Sequence, residues 1–174
     1  MVTRTGRPES SGPAAQKLSR WRAKVLVIEA RFYPKIADAL LAGAVAELEA
    51  QGASYDRIAV PGSLEIPQVL AQAVAAGLIP RSAASARYCG AVALGCVIRG
   101  ETAHFDIVVN NANHWLMQIA IQHNVPVGNG ILTVENEAQA LERARGGRSS
   151  KGADAAAACL RLIHTSRAFQ GQGA

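Results

Sequence analysis

Residues 91–106 read AVALGCVIRGETAHFD. The first eight, from Ala91 to Ile98, form an unbroken run of apolar and small residues, the pattern of a β-strand buried on both faces. Polar residues interrupt the run at Arg99. Beyond them Ile107, Val108, Ala112, Trp115, Leu116 and Ile119 recur at helical spacing and should form the apolar side of a helix. A doubly buried strand that passes through a polar turn into an amphipathic helix is one βα unit. The same unit recurs on either side. Residues 25–30 are a short apolar run, followed by Pro34 as a helix opener, a stripe of Ile36, Ala37, Leu40, Leu41, Ala44, Val45 and Leu48, and Gly52 as a stop. Residues 57–60 supply another strand, Pro67 opens its helix through Val69, Leu70, Ala73 and Val74, and Gly77 closes it. Residues 125–134 make the fourth strand, with Pro126 at its start. Asn136 with Gln139 forms a capping box for a short helix, and the Ala-rich residues 152–169 form the last one.

Strands that alternate with helices require crossover connections, hence a parallel sheet covered on both faces: the α/β class. Ligands of such folds bind at the carboxyl ends of the strands. The informative loops are therefore residues 31–34, 61–67, 99–106 and the stretch after Thr133. Residues 77–87 fall at the opposite end and should be an exposed connection.

A chain of 174 residues with 49% hydrophobic content fits one domain, and its 5% aromatic content suits parallel strands under small-faced helices. The net charge of +5 is not spread along it. Arg4, Arg7, Lys17, Arg20, Arg22 and Lys24 face only Glu9 in the first 24 residues, so basic and acidic side chains balance over the rest. The body should offer no general footprint for nucleic acid. We expect a flexible basic extension over residues 1–20, one domain over residues 21–170, and a disordered end at 171–174. Neither a secretory leader nor an apolar run of membrane-spanning length is found, which points to a cytoplasmic protein. Cys89, Cys96 and Cys159 have neither zinc-site nor redox-pair spacing and should be reduced thiols. No histidine pair has metal-ligand spacing, so no metal is implied.

The densest polar cluster is the turn after residue 98. Successive N–H groups of Gly100, Glu101 and Thr102 can cradle an anion at a helix start, with Arg99 adding positive charge. The glycine spacing imitates a Walker A loop, but Glu101 stands where that loop needs lysine, and a carboxylate there repels a triphosphate. His104 beside the cradle is placed to move protons on a bound substrate, against the plainer reading of a capping or core histidine. Phe32 on a ligand-facing loop can stack on a planar heterocycle, although a lone aromatic is more often core. In PGSLEIP, residues 61–67, Gly62 frees backbone groups to meet a polyol and Glu65 can accept hydrogen bonds, or Glu65 simply complements the helix dipole. Arg143 and Arg145 suit the end of a helix, or anchor a phosphate.

Together and in their order along the chain, PGSLEIP and LGCVIRGETAHFD resemble the lumazine synthase family, with similarity over about residues 25–169. The resemblance implies a flavodoxin-like three-layer α/β/α sandwich with a central four-stranded parallel sheet. It implies a transferase that condenses a ribitylaminopyrimidine with a four-carbon keto-phosphate, without a cofactor. It also implies a homopentamer with active sites between neighbours. On this footing Phe32 stacks on the pyrimidine, while Ser63, Leu64, Glu65, Cys96, Val97 and Ile98 line the pyrimidine and ribityl pocket. Glu101 and Thr102, with Arg99 and Gly100, hold phosphate; His104 donates the proton; Arg143 of an adjacent subunit contacts phosphate. Two positions depart from the pattern: Tyr33 stands where the family usually has Asn, and Asn129 where an aromatic often packs on the pyrimidine. Residues 146–150, GGRSS, lack the kink associated with sixty-subunit shells, which favours a free pentamer. The rival readings are a non-catalytic flavin or phosphate-binding module, and a ring scaffold that tethers an acidic partner through its basic tail.

Overall fold

The structure, a computed structural model, describes residues 23–80 and 86–171. The expectations of a flexible tail over residues 1–20 and a disordered end fall outside the described residues, apart from Gly171. Four strands, β1 Lys24–Ala30, β2 Ser54–Val60, β3 Gly90–Ile98 and β4 Val127–Val134, form one parallel sheet in the order β2-β1-β3-β4. The helices are α1 Pro34–Ala50, α2 Glu65–Ala75, α3 His104–Gln122, α4 Glu137–Ala144 and α5 Lys151–Phe169, and a 3-10 turn, Gly147–Ser149, precedes α5. This is the expected three-layer α/β/α sandwich.

Alternation along the strands divides the core. Val25, Val27, Val92, Leu94 and Leu132 pack under α1, α4 and α5 with Ile36, Leu40, Leu48, Ala156 and Cys159. Leu26, Ile28, Ala91 and Ala93 pack on the other side with Ile66, Leu70 and Leu116 from α2 and α3. Val25 to Ile28 are at most 1% exposed, as the doubly covered strand requires. Glu29 lies in the same run, fully buried, with its carboxylate held by Arg31 at 3.4 Å and by Arg57.

Helices α1, α2 and α3 end in the same device. A residue of positive φ, Gly52 at 72°, Gly77 at 67° and Asn124 at 53°, follows each cap. The next N–H then returns to a carbonyl in the last turn: Ala53 to Leu48 at 2.9 Å, Leu78 to Ala73 at 3.0 Å, Val125 to Ala120 at 2.9 Å. These are Schellman motifs, which satisfy terminal carbonyls and turn the chain back toward the sheet. The two glycines were legible as stops, while Asn124 does the same work in a less distinctive guise.

Several boundaries and faces differ from the sequence reading. Pro67 is the third residue of α2 rather than its opener, which the helix tolerates because first-turn N–H groups need no intrahelical acceptor. β2 begins three residues earlier than position 57, at Ser54, and β4 begins two residues after position 125, at Val127. The stripe assigned to α3 is divided: Ala112 and Leu116 are buried, together with Phe105 and Ala120, but Ile107 is 54% and Trp115 49% exposed. The connection after Gly77 is not simply exposed where it is described, since Ile79 is fully buried against the α2 and α3 side of the core, while residues 81–85 fall outside the described residues.

Strand register makes the site. β1 pairs with β3 only as far as Glu29 against Leu94, whereas β3 continues beside β4 to Ile98 against Val134. Four residues of β3 thus extend beyond its shared ladder with β1. The strand order also reverses between β1 and β3, which is where a crevice opens in a doubly wound sheet.

Candidate active site

Three loops meet at that crevice. The first leaves β1 at Arg31, whose N–H donates to the Val60 carbonyl at 2.9 Å and whose guanidinium donates to Asp38 at 2.7 Å. With Arg31 tied to the sheet and to α1, the next residue projects outward: Phe32 is 69% exposed. Its ring meets Tyr33 edge to face, with centroids 4.9 Å apart.

The second loop links β2 to α2. The Gly62 N–H donates to Glu65 Oε2 at 2.9 Å, so this carboxylate secures the turn from which its own helix starts. Ser63 is buried against Gly95 of β3, where a Cβ would lie 2.9 Å from Ser63 Oγ. The glycine therefore permits the loop to close on the extended end of β3.

The third loop follows β3. The Arg99 N–H donates to the Val134 carbonyl at 2.9 Å, ending the ladder, and its guanidinium stacks 4.1 Å from the Phe105 ring centroid while pairing with Glu135 at 3.0 Å. The backbone N–H groups of Gly100, Glu101 and Thr102 take no acceptor among the described residues. They precede the start of α3, where the helix dipole favours an anion. His104 opens α3, and its backbone N–H reaches Thr102 Oγ1 at 3.4 Å.

The loops enclose a cleft of about 260 Å³. Ten of the residues singled out from the sequence line it: Phe32, Ser63, Leu64, Glu65, Cys96, Val97, Ile98, Gly100, Thr102 and His104. Gly62 lines it too, and Tyr33, Phe105 and Val108 complete the wall. Val108 falls one helical turn after His104, a signal available from helical period alone. Arg99 and Glu101 are not in the lining; Arg99 is turned toward Glu135 and Asp106. Asn129 and Arg143 also lie outside it. Asn129, on β4, donates to Asn113 Oδ1 at 2.7 Å, and Arg143 donates to the Gln139 carbonyl at 3.0 Å.

Cys96 is the one thiol in the cleft wall, and burial pushes its pKa up to about 11. It is a neutral thiol at physiological pH and an inert surface rather than a nucleophile. The cleft thus combines an exposed aromatic, an apolar wall from β3, a turn whose N–H groups take no acceptor among the described residues, and an imidazole. Such a site can hold a flat ring beside an anionic group and move protons between them.

The sequence profile of the family described as 6,7-dimethyl-8-ribityllumazine synthase matches residues 22–167. A 6,7-dimethyl-8-ribityllumazine synthase of Azorhizobium caulinodans is 52% identical over 147 residues, 83% of this chain and 87% of its own. One of Nitrobacter hamburgensis is 50% identical over 145 residues, 83% of this chain and 86% of its own. One of Xanthobacter autotrophicus is 46% identical over 166 residues, 95% and 98% of the two chains. With the profile spanning every described strand and nearly all of the last helix, this chain belongs to the 6,7-dimethyl-8-ribityllumazine synthase family and is a transferase of riboflavin biosynthesis.

Proposed function

We propose that the cleft binds 5-amino-6-(D-ribitylamino)uracil and 3,4-dihydroxy-2-butanone 4-phosphate side by side and joins them into 6,7-dimethyl-8-ribityllumazine. The observation that carries the reading is the meeting of Phe32, His104 and the Gly100–Thr102 turn around one cleft at the strand-order reversal. In this reading the pyrimidine lies on Phe32, and its ribityl chain runs along Ser63 to Glu65 and Cys96 to Ile98. The phosphate sits on the turn at Gly100 and Thr102, with the side chains of Arg99 and Glu101 outside the lining.

The aryl amine attacks the ketone carbon and water leaves, giving an imine. A carbon-bound proton and the phosphate then depart by elimination, the enol so formed tautomerises to a methyl ketone, and the ribityl-bearing nitrogen closes the ring on that new carbonyl with loss of a second water. Every step moves protons, and an imidazole both donates and accepts them near neutral pH. None requires a covalent enzyme intermediate, which agrees with a cleft whose one thiol is held neutral.

We infer further that the working unit is a homo-oligomer, a pentamer, with neighbouring subunits completing each site. Two features support this. Ile107, Trp115 and Ile119 face Leu64, Pro67 and Ala71 across an apolar groove of about 500 Å³ between α2 and α3, adjoining the cleft at Leu64. Exposed apolar surface of this kind is typical of subunit contacts. Arg143 and Asn129 lie away from their own cleft, where a neighbour's cleft can use them. We also place the enzyme in the cytoplasm, a setting that suits three free cysteines; among the described residues no helix is long and apolar enough to cross a membrane.

The test is direct. Purified protein mixed with both substrates should release inorganic phosphate in step with the appearance of lumazine fluorescence. A protein that alters ligand spectra without releasing phosphate would instead be a binding module.

A further inference from the structure

Tyr33 occupies the N-cap of α1 yet makes no side-chain cap, although a short polar side chain there would bond a free first-turn N–H. The helix starts without that help because Pro34 holds its first turn and the Tyr33 carbonyl accepts from Ile36 at 3.1 Å and Ala37 at 2.9 Å. The ring is used elsewhere. It packs on the α1 side of the core, lines the cleft, and meets Phe32 at 4.9 Å between centroids with the planes 72° apart.

With this contact made, Phe32 is still 69% exposed. An exposed aromatic rotates among rotamers, and a planar ligand must arrest it on binding. A half-buried neighbour packed against the core restrains it beforehand and still leaves most of its surface open to a flat ring. We propose that Tyr33 is a positioning residue that sets affinity for the planar heterocyclic substrate by holding Phe32 in its stacking orientation. The inference rests on the reading above, in which Phe32 carries the pyrimidine. Tyr33 acts through its ring, so loss of the hydroxyl alone has little effect, and the keto-phosphate is untouched because its anion cradle belongs to the loop after β3.

The experiment compares steady-state kinetics of the full chain with Tyr33→Asn, Tyr33→Phe, Phe32→Ala and the Phe32→Ala/Tyr33→Asn pair. Tyr33→Asn restores a capping side chain while removing the ring. It should raise KM for the pyrimidine about tenfold, the scale of one aromatic contact, and leave KM for the keto-phosphate within about twofold. Tyr33→Phe keeps the ring and should raise the pyrimidine KM far less than Tyr33→Asn. In the Phe32→Ala background Tyr33→Asn should add nothing, since there is no ring left to hold. An unchanged pyrimidine KM in Tyr33→Asn, an equal rise for both substrates, or additive losses in the pair would overturn the proposal while leaving the synthase reading intact. An inactive parent protein would remove that reading, and this inference with it.

Discussion

His104 and Glu29 show how differently two polar residues can be employed within one site. His104 is exposed at the first turn of α3 and lines the cleft, while Glu29 is fully buried behind it. General acid-base groups contribute about 10²–10⁴-fold, whereas alignment of two reactants contributes about 7–11 kcal/mol. His104→Ala should therefore lower kcat by about 10²-fold or more yet leave turnover measurable above the uncatalysed reaction; a parent-like kcat would remove the imidazole from the mechanism. Glu29 meets no substrate. It joins Arg57 of β2 to Arg31 of the Phe32 loop, and Arg31 passes the restraint to Asp38 of α1. The sequence offered His104 through its company in the turn. It offered nothing for Glu29, because a carboxylate in an apolar run has meaning only when its two arginines arrive from other elements.

At the scale of elements, close approach to the sheet decides which glycines matter. α5 lies so near β4 that a Cβ on Gly128 would fall 1.9 Å from the Ala155 carbonyl oxygen, which is backbone and cannot rotate away. Gly100 has nothing within 4 Å of its would-be Cβ. Overpacking costs about 1–3 kcal/mol, and each kcal/mol moves Tm by roughly 2–4 °C in a domain of this size. Gly128→Ala should thus lower Tm by several degrees, with Gly100→Ala near the parent value; equal melting temperatures would contradict the packing. Element order was legible because strand and helix periods are local. Pro67 misplaced the start of α2 because proline suits any first-turn position, and the α3 stripe overstated burial because an apolar residue carries no mark of which partner covers it.

The whole molecule presents an apolar groove between α2 and α3. Trp115 and Ile107 stay about half exposed on a groove lined also by Pro67 and by Leu64, the residue it shares with the cleft. If this groove is the seam between subunits, Trp115→Glu buries a charge in an apolar contact and should shift sedimentation from a pentamer to smaller species. On the proposed reading, in which Arg143 and Asn129 serve a neighbour's cleft, activity should fall with it. Unaltered sedimentation would place the seam elsewhere, and a shell-sized mass for the parent would overturn the free pentamer favoured by residues 146–150. Those residues form a 3-10 turn whose Arg148 donates to Glu47 of α1 at 2.7 Å.

The succession of βα units, the loops that meet at the cleft, and the polar cluster after β3 were legible in the sequence. All of these follow from period and order along one stretch of chain. Tertiary structure alone decided that β3 outruns its pairing with β1 and so opens the cleft, that Glu29 is buried between two arginines, that Tyr33 leans on Phe32, and that Arg99 turns away from the lining. Register and side-chain direction depend on contacts between residues far apart in the chain, and a local pattern of apolar and polar residues does not specify them.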